Sequence, residues 1–383
     1  MRLIFSLVTI LVTVQMGAGN TFAAENQPVT LGAIYGLTGE WSAYDVPSSR
    51  GAKLFVTQAN EKGGVLGRPI NLIIKDVESS IDKAAKLVDT ILSEHPDVPA
   101  LFGLSDSDMV RAAAKVAAAA NRVFVTSGAT SPKLPAEVPT YLFLACFGDN
   151  IQAAAAAQFA FSKLNARSAS IVYDDNYTYT RLLKDYFKRA FEALGGEVRS
   201  VVKFDGANNI GAVVDQIAGA DIIFLATEAP PDSLLGVKLL RTKGFDQPIV
   251  GGDAYDGETV WQDDDSLRDI YYTTHAFFGA ENPSALVKAF RADYMAEYGV
   301  EPASFAGLGY DTAALLVAAI KNANSTAPED VLDALSKIRN FQGVTGTISF
   351  DGSRIPSKPV TILEVAGGRR HFVEQIVPGQ ASR

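Results

Sequence analysis

Phe124-Val-Thr-Ser-Gly-Ala-Thr-Ser-Pro132 begins as a short β-branched strand and ends in small hydroxyl residues around a glycine. Val123 to Thr126 has the length and composition of a buried strand. Thr130-Ser131-Pro132 has the form of a helix start, with hydroxyl caps and a proline in the first turn. Leu104-Ser-Asp-Ser-Asp108 repeats that chemistry ahead of an alanine-rich helix from Met109 to Ala120. If the two strands are neighbours, two helix N-termini converge at the carboxyl edge of a sheet and hold an anion without any arginine. The small residues Gly128 and Ala129 let the backbone approach a ligand closely. Helix capping alone explains the same residues equally well.

The same alternation runs outward in both directions. Upstream come strand Val29–Ile34, helix Ser49–Glu61 ending at Gly63-Gly64, strand Ile70–Lys75, helix Ile81–Ser93 and strand Ala100–Gly103. A second series follows: strand Ser170–Tyr173, helix Thr180–Leu194, strand Val198–Phe204, helix Ile210–Ile217, strand Ile222–Leu225, helix Leu234–Lys243 and strand Ile249-Val250. Short apolar strands between helices predict parallel sheets covered on both faces. The expected fold class is α/β, with two doubly wound parallel-sheet lobes and a ligand cleft at their junction. Gly346–Phe350 and Val360–Val365 read as hairpin strands.

The chain of 383 residues, 48% hydrophobic, is long enough for two domains. Arg2, the apolar run Leu3–Met16 and the small residues that follow predict a signal peptide over residues 1–24, cleaved near Ala23 or Ala24. With no cysteine at that junction to carry a lipid, the expected location is free in the periplasm. Cys146 is the single cysteine, so no intrachain disulfide forms. A formal charge of −9 argues against nucleic acid or anionic lipid as partner. His95, His275 and His371 each stand apart from other ligand-type residues and read as surface or packing residues, so no metal site is expected. Gly32-Ala-Ile-Tyr-Gly36-Leu-Thr-Gly39 has the wrong spacing for a dinucleotide turn, and Asp76 lies too far on to be its ribose partner. No cofactor is expected, and nothing assembles a nucleophile, base and orienter, which argues against an enzyme.

Five segments carry a family resemblance: Leu37-Thr-Gly…Tyr44…Arg50-Gly-Ala52, Asn60-Glu-Lys-Gly-Gly64-Val-Leu-Gly67, Thr126–Pro132, Gly251-Gly-Asp253, and Gly343-Val-Thr-Gly-Thr-Ile-Ser-Phe-Asp-Gly352. In this order the chain from Val29 to the end resembles the type I periplasmic binding proteins, specifically the leucine/isoleucine/valine-binding class that serves ABC importers. That resemblance implies three crossings between lobes, near Phe147, near His275 to Phe278 and near Val344. Lobe I is then 25–147 plus 277–344, and lobe II is 148–276 plus 345–383. It further implies that Ser107, Gly128, Ala129 and Thr130 grip the α-carboxylate of an amino acid and that Asp253 takes its ammonium. Tyr44 would close over the ligand and Tyr179 would contribute from the second lobe.

Asp253 on its own also reads as a helix cap or loop acid. Trp41, Asp106, Glu228 and Tyr255 are further cleft candidates. Asp106 adds a negative charge beside the grip, and the family often carries an aromatic near the position of Ala229, where this chain has Thr227-Glu228-Ala229-Pro230-Pro231. The expected ligand is a small zwitterion with an apolar side chain; an amine-free aromatic or aliphatic carboxylate is the alternative. The expected partner is an ABC permease in the inner membrane, serving a monomer. A ligand-sensing subunit of a receptor or regulator is the alternative of another class.

Overall fold

Every residue of strand β1 (Val29–Tyr35) is buried, as a sheet covered on both faces requires. The computed structural model describes residues 27–262 and 264–377, so the signal-peptide reading of residues 1–24 lies outside the described residues. After β1 come α1 (Ser42–Glu61), β2 (Ile70–Asp76), α2 (Ile81–Glu94), β3 (Ala100–Gly103), α3 (Ser107–Ala119), β4 (Val123–Thr126), α4 (Leu134–Glu137) and β5 (Leu142–Leu144). These strands form a parallel sheet in the order β2-β1-β3-β4-β5.

The chain then builds α5 (Asp149–Ser162), β6 (Ser168–Asp174), α6 (Thr178–Ala193), β7 (Glu197–Phe204), β8 (Ile222–Ala226), α7 (Pro230–Thr242), β9 (Ile249–Gly251) and β10 (Ile270–Thr274). It returns through α8 (Ala285–Tyr298), α9 (Ser304–Ala323), α10 (Pro328–Ser336) and the strands β11 (Phe341–Gly343), β12 (Gly346–Ile348), β13 (Val360–Ala366) and β14 (Arg369–Ile376). The second sheet has the order β14-β13-β10-β9-β8-β6-β7. Its β7, β6, β8, β9 and β10 are parallel, and β13 and β14 add an antiparallel edge.

In the first lobe Val88, Ile91, Ala113 and Ala117 of α2 and α3 cover one face of the sheet. Ala52, Leu316, Ile320 and Leu335 of α1, α9 and α10 cover the other. Helices α1 and α9 touch backbone to backbone. A Cβ on Gly309 would lie 1.8 Å from the Ser48 carbonyl oxygen, and one on Gly51 would lie 1.8 Å from that of Ala306. Only glycine permits this approach, and it brings Phe305 of α9 up beside Tyr44, with ring centroids 4.5 Å apart.

Four local expectations are corrected. Helix α1 starts at Ser42 rather than Ser49 and carries Pro47 inside it. The first turn is held by burial of Trp41 and Tyr44 and by the Asp45 carboxylate, which accepts the Gly36 N–H at 2.7 Å. The segment Ile210–Ile217 is two 3₁₀ turns, Ala207–Ala212 and Val214–Gln216, rather than a helix. Strands β12 and β13 do not pair with each other: β12 pairs with β11 and β13 with β14. Finally, Ile348 and Phe350 pack in the first lobe, Phe350 edge-on to Phe143 at 5.2 Å, so the last crossing falls after Phe350 rather than near Val344.

Candidate ligand-binding site between the lobes

The carboxyl ends of the strands of both sheets meet across a cavity of about 20 Å³, where open α/β sheets bind their ligands. The first lobe contributes Trp41 and Tyr44 from the start of α1, Ser105 and Ser107 after β3, Gly128 and Thr130 after β4, and Phe305 of α9. The second contributes Tyr179 of α6, Glu228 after β8, and Asp253 and Ala254 after β9. Among the described residues, no lysine or arginine lines the cavity.

The turn after β4 is tied down by its own polar groups. Thr126 donates its hydroxyl to the Leu104 carbonyl at 2.9 Å and accepts the Ala129 N–H at 3.0 Å. The Gly128 N–H donates to the Leu104 carbonyl at 3.2 Å. The N–H groups of Gly128 and Ala129 are therefore committed within the protein, and Ala129 does not line the cavity. Nor does a long helix start at Thr130. Helix α4 spans only Leu134–Glu137 and has no side-chain cap. The Thr130 carbonyl instead accepts the Asp149 N–H at 2.8 Å, where α5 begins. Gly128 makes room for protein rather than ligand: a Cβ there would lie 2.7 Å from the Phe305 ring and 2.8 Å from Ser105 Oγ. The hydroxyls that face the cavity from this side are those of Ser105, of Ser107 at the N-terminus of α3, and of Thr130.

Two further candidates stand elsewhere. Asp106 caps α3, accepting the Met109 N–H at 2.7 Å, and does not line the cavity. Burial pushes its carboxyl up to about 6. Tyr255 is buried in the core of the second lobe, where its hydroxyl donates to the Leu225 carbonyl at 2.9 Å.

Asp253 sits on the 3₁₀ turn Asp253–Tyr255 and is 3% exposed. Its Oδ1 accepts the Tyr179 hydroxyl at 2.7 Å and Gln152 Nε2 at 2.9 Å, and its Oδ2 lies 3.0 Å from His275 Nε2. His275 stacks on Phe147 at 3.9 Å and meets Phe305 edge-on. Burial pushes the His275 pKa down, so the neutral ring donates through Nε2 to the carboxylate. This histidine thus has a partner that its isolation in sequence did not suggest. Beside Gln152, burial and then the charge of Asp253 push the Asp149 carboxyl up to about 7.

Glu228 is different. It is 5% exposed, and its Oε2 has no hydrogen-bond partner among the described residues. Its backbone carbonyl accepts the Tyr44 hydroxyl at 2.6 Å, and the Ala254 carbonyl shares that donor at 3.1 Å. Tyr44 thereby joins the lobes across the cavity. Thr178 to Asp108 at 3.2 Å, Tyr177 to Glu40, and Arg50 to Glu258 at 3.3 Å bridge them further out.

The arrangement suits a small molecule held between a hydroxyl wall and a carboxyl wall, with Trp41, Tyr44 and Phe305 as apolar sides. Sequence reasoning missed Ser105, Ala254 and Phe305 in the walls, and Gln152 and His275 behind them. The parallel pairing of β9 with β10, Gly251 opposite Tyr272, is what carries His275 to Asp253.

The family described as periplasmic binding protein matches residues 28–369. The Leu/Ile/Val-binding protein homolog 1 of Brucella abortus (strain 2308) is 22% identical over 98% of this chain and all of that protein. The substrate-binding protein LivJ of Streptococcus pneumoniae, solved in complex with isoleucine, superposes with a TM-score of 0.85 at 27% identity, covering 92% of this chain and 100% of that one. A leucine-binding protein LivK of Thermotoga maritima superposes with a TM-score of 0.82 at 28% identity, covering 91% of this chain and 99% of that one. With nearly its whole described length matched in sequence and fold, the chain belongs to the periplasmic binding protein family, as a type I solute-binding protein of the Leu/Ile/Val-binding class and not an enzyme.

Proposed function

We propose that the cavity between the lobes binds a small zwitterion with an apolar side chain, such as a branched-chain or aromatic amino acid, for delivery to an ABC permease in the inner membrane. The observation that carries this reading is the polarity of the cavity: hydroxyls of Ser107 and Thr130 on one wall, carboxyls of Asp253 and Glu228 on the other, and no basic side chain lining it. A carboxylate is received by the hydroxyls and by the N-terminus of α3. An ammonium is received by the carboxyl wall, which would otherwise repel an anion. The relatives named for leucine, isoleucine and valine, and the neighbour holding isoleucine, support the same ligand class.

A cavity of about 20 Å³ has room for little more than a water molecule. Entry of an amino acid therefore requires the lobes to part at Tyr44, and closure around it brings Tyr44 back toward the Glu228 and Ala254 carbonyls in a wider cavity. Residues 1–24 are the export signal, removed near Ala23 or Ala24, and the mature chain works as a periplasmic monomer.

Mass spectrometry of solute released from the purified protein, followed by a thermal-shift panel of amino acids and their amine-free analogues, tests this. Ligand at a hundred times its dissociation constant adds about 2.7 kcal/mol of stability. A wild-type protein stabilised only by amine-free acids would overturn the zwitterion reading.

A further inference from the structure

We infer that Glu228, rather than Asp253, is the carboxyl group that receives the ammonium of the bound solute. The inference rests on the zwitterion reading and names the atom that serves it. Both acids line the same cavity, but they differ in what already satisfies them. Both oxygens of Asp253 are engaged by protein groups: Tyr179 and Gln152 on one, His275 on the other. Oε2 of Glu228, in a side chain buried to the same degree, has no partner among the described residues. A buried, unpaired carboxyl is costly, and a cation that arrives with its own donors removes that cost. The neighbouring Glu228 and Ala254 carbonyls already share the Tyr44 hydroxyl and carry no charge to meet a cation. That same contact forms only when the lobes are together, so Glu228 is held at the ligand in the closed state.

The surroundings explain why the protein tolerates this acid between ligands. Burial, and then the negative charges of Asp106, Glu40, Asp253 and Asp149, push its carboxyl well above the usual carboxylate range. Among the described residues no lysine or arginine lines the cavity to offset them, and Tyr44 and Tyr177 present only phenols on this side. With the lobes closed on an empty cavity, Glu228 therefore favours its protonated form. When the lobes close instead on an ammonium, the Glu228 O–H bond breaks, the proton passes to the buffer, and the carboxylate accepts the ammonium N–H. Asp253 then acts as a positioning residue, fixing Tyr179 and the hinge-side His275 behind the wall.

The test uses the mature protein as wild type, Glu228→Gln and Asp253→Asn. Each is screened against the twenty L-amino acids and the desamino acids 4-methylpentanoate and 3-phenylpropanoate, and the amino acid giving the largest thermal shift is then titrated calorimetrically. Glu228→Gln is expected to weaken that amino acid by about ten- to a hundredfold, with the unliganded melting temperature preserved. In phosphate and Tris buffers the wild type should release a proton on binding, and Glu228→Gln should not. If Glu228→Gln keeps its affinity within about twofold while Asp253→Asn loses it, the ammonium belongs to Asp253; this inference falls and the zwitterion reading stands. If the wild type responds only to desamino acids, or to no compound in the panel, both fall.

Discussion

On the first-lobe side of the cavity, Ser107 and Thr130 stand on strand ends whose turns are already complete. Thr126, Gly128 and Ala129 bond to one another and to Leu104, so the two hydroxyls can change partner without disturbing the turn. On the second-lobe side the polar groups divide. Asp253 is the hub of a buried network with Tyr179, Gln152 and His275, whereas Glu228 is buried beside it with its Oε2 unpaired. On the proposed reading, the groups that meet the ligand are those that the fold leaves over, and a group that the fold uses fully is a poor candidate even when it lines the cavity.

The largest expected effect breaks or sustains that division directly. Asp253→Ala strands three buried donors, and each buried donor left unsatisfied costs about 1–3 kcal/mol. Glu228→Gln removes an acid that the folded state holds unpaired, and stability should be unchanged or higher. Urea unfolding of both variants measures the difference. Equal losses would mean that Glu228 is built into the wall as firmly as Asp253.

Next in size is the hydroxyl wall. Thr130→Val and Ser107→Ala each remove a donor to the proposed ligand carboxylate, worth roughly 1.5–3 kcal/mol of binding. Since the turn is tied by Thr126 rather than by Thr130, the melting temperature of the unliganded Thr130→Val protein should stay near wild type. Calorimetry that found unchanged affinity in both variants would move the carboxylate site elsewhere.

These contrasts also mark what was legible in the sequence. The parallel strands could be read because their apolar runs are short, buried and punctuated by glycine. The hydroxyls of Ser107 and Thr130 stood out beside strand ends, but the helix start read at Thr130 is absent, and their proposed ligand role came from the family resemblance. What local signals could not carry was partnership. Whether a hydroxyl at Thr126 ties a turn or Ala129 offers its N–H depends on Leu104, which is 22 residues from Thr126 and joined to it through the pairing of β3 with β4. Phe305 reaches the cavity only because α9 lies against the glycines of α1. His275 looked isolated because Asp253 lies on a different strand end. Pro47 hid the first turn of α1, where burial of Trp41 and Tyr44 overrides the missing N–H.

The third expectation concerns the contact that joins the two walls. Tyr44→Phe keeps the ring against Phe305 and removes the one hydroxyl donor that the Glu228 and Ala254 carbonyls share, worth about 0.5–1.5 kcal/mol. The closed state should lose population. Small-angle scattering should then give a larger radius of gyration than wild type at the same subsaturating amino-acid concentration. An unchanged radius would mean that Arg50–Glu258 and the outer contacts carry closure without it.

The smallest effect lies behind both walls. Burial pushes Asp45 in the first lobe and Asp149 in the second up to about 7, and Asp106 up to about 6. A carboxyl whose pKa is raised on folding favours the folded state while protonated, so its contribution is complete below the unfolded value near 4 and is lost as pH rises through the folded value. His275, with its pKa pushed down, acts in the opposite sense, costing stability as pH falls below about 6.5. With Glu228 and Asp311 pushed up by burial as well, the raised carboxyls outweigh the one imidazole, and the melting temperature should fall as pH rises from about 5 to about 7. Asp45→Asn keeps an oxygen for the Gly36 N–H and should flatten the profile without moving its neutral-pH end downward. A profile that rose with pH over this interval would show that these carboxyls ionise freely in the folded protein, and with them the reason to treat the cleft as short of positive charge.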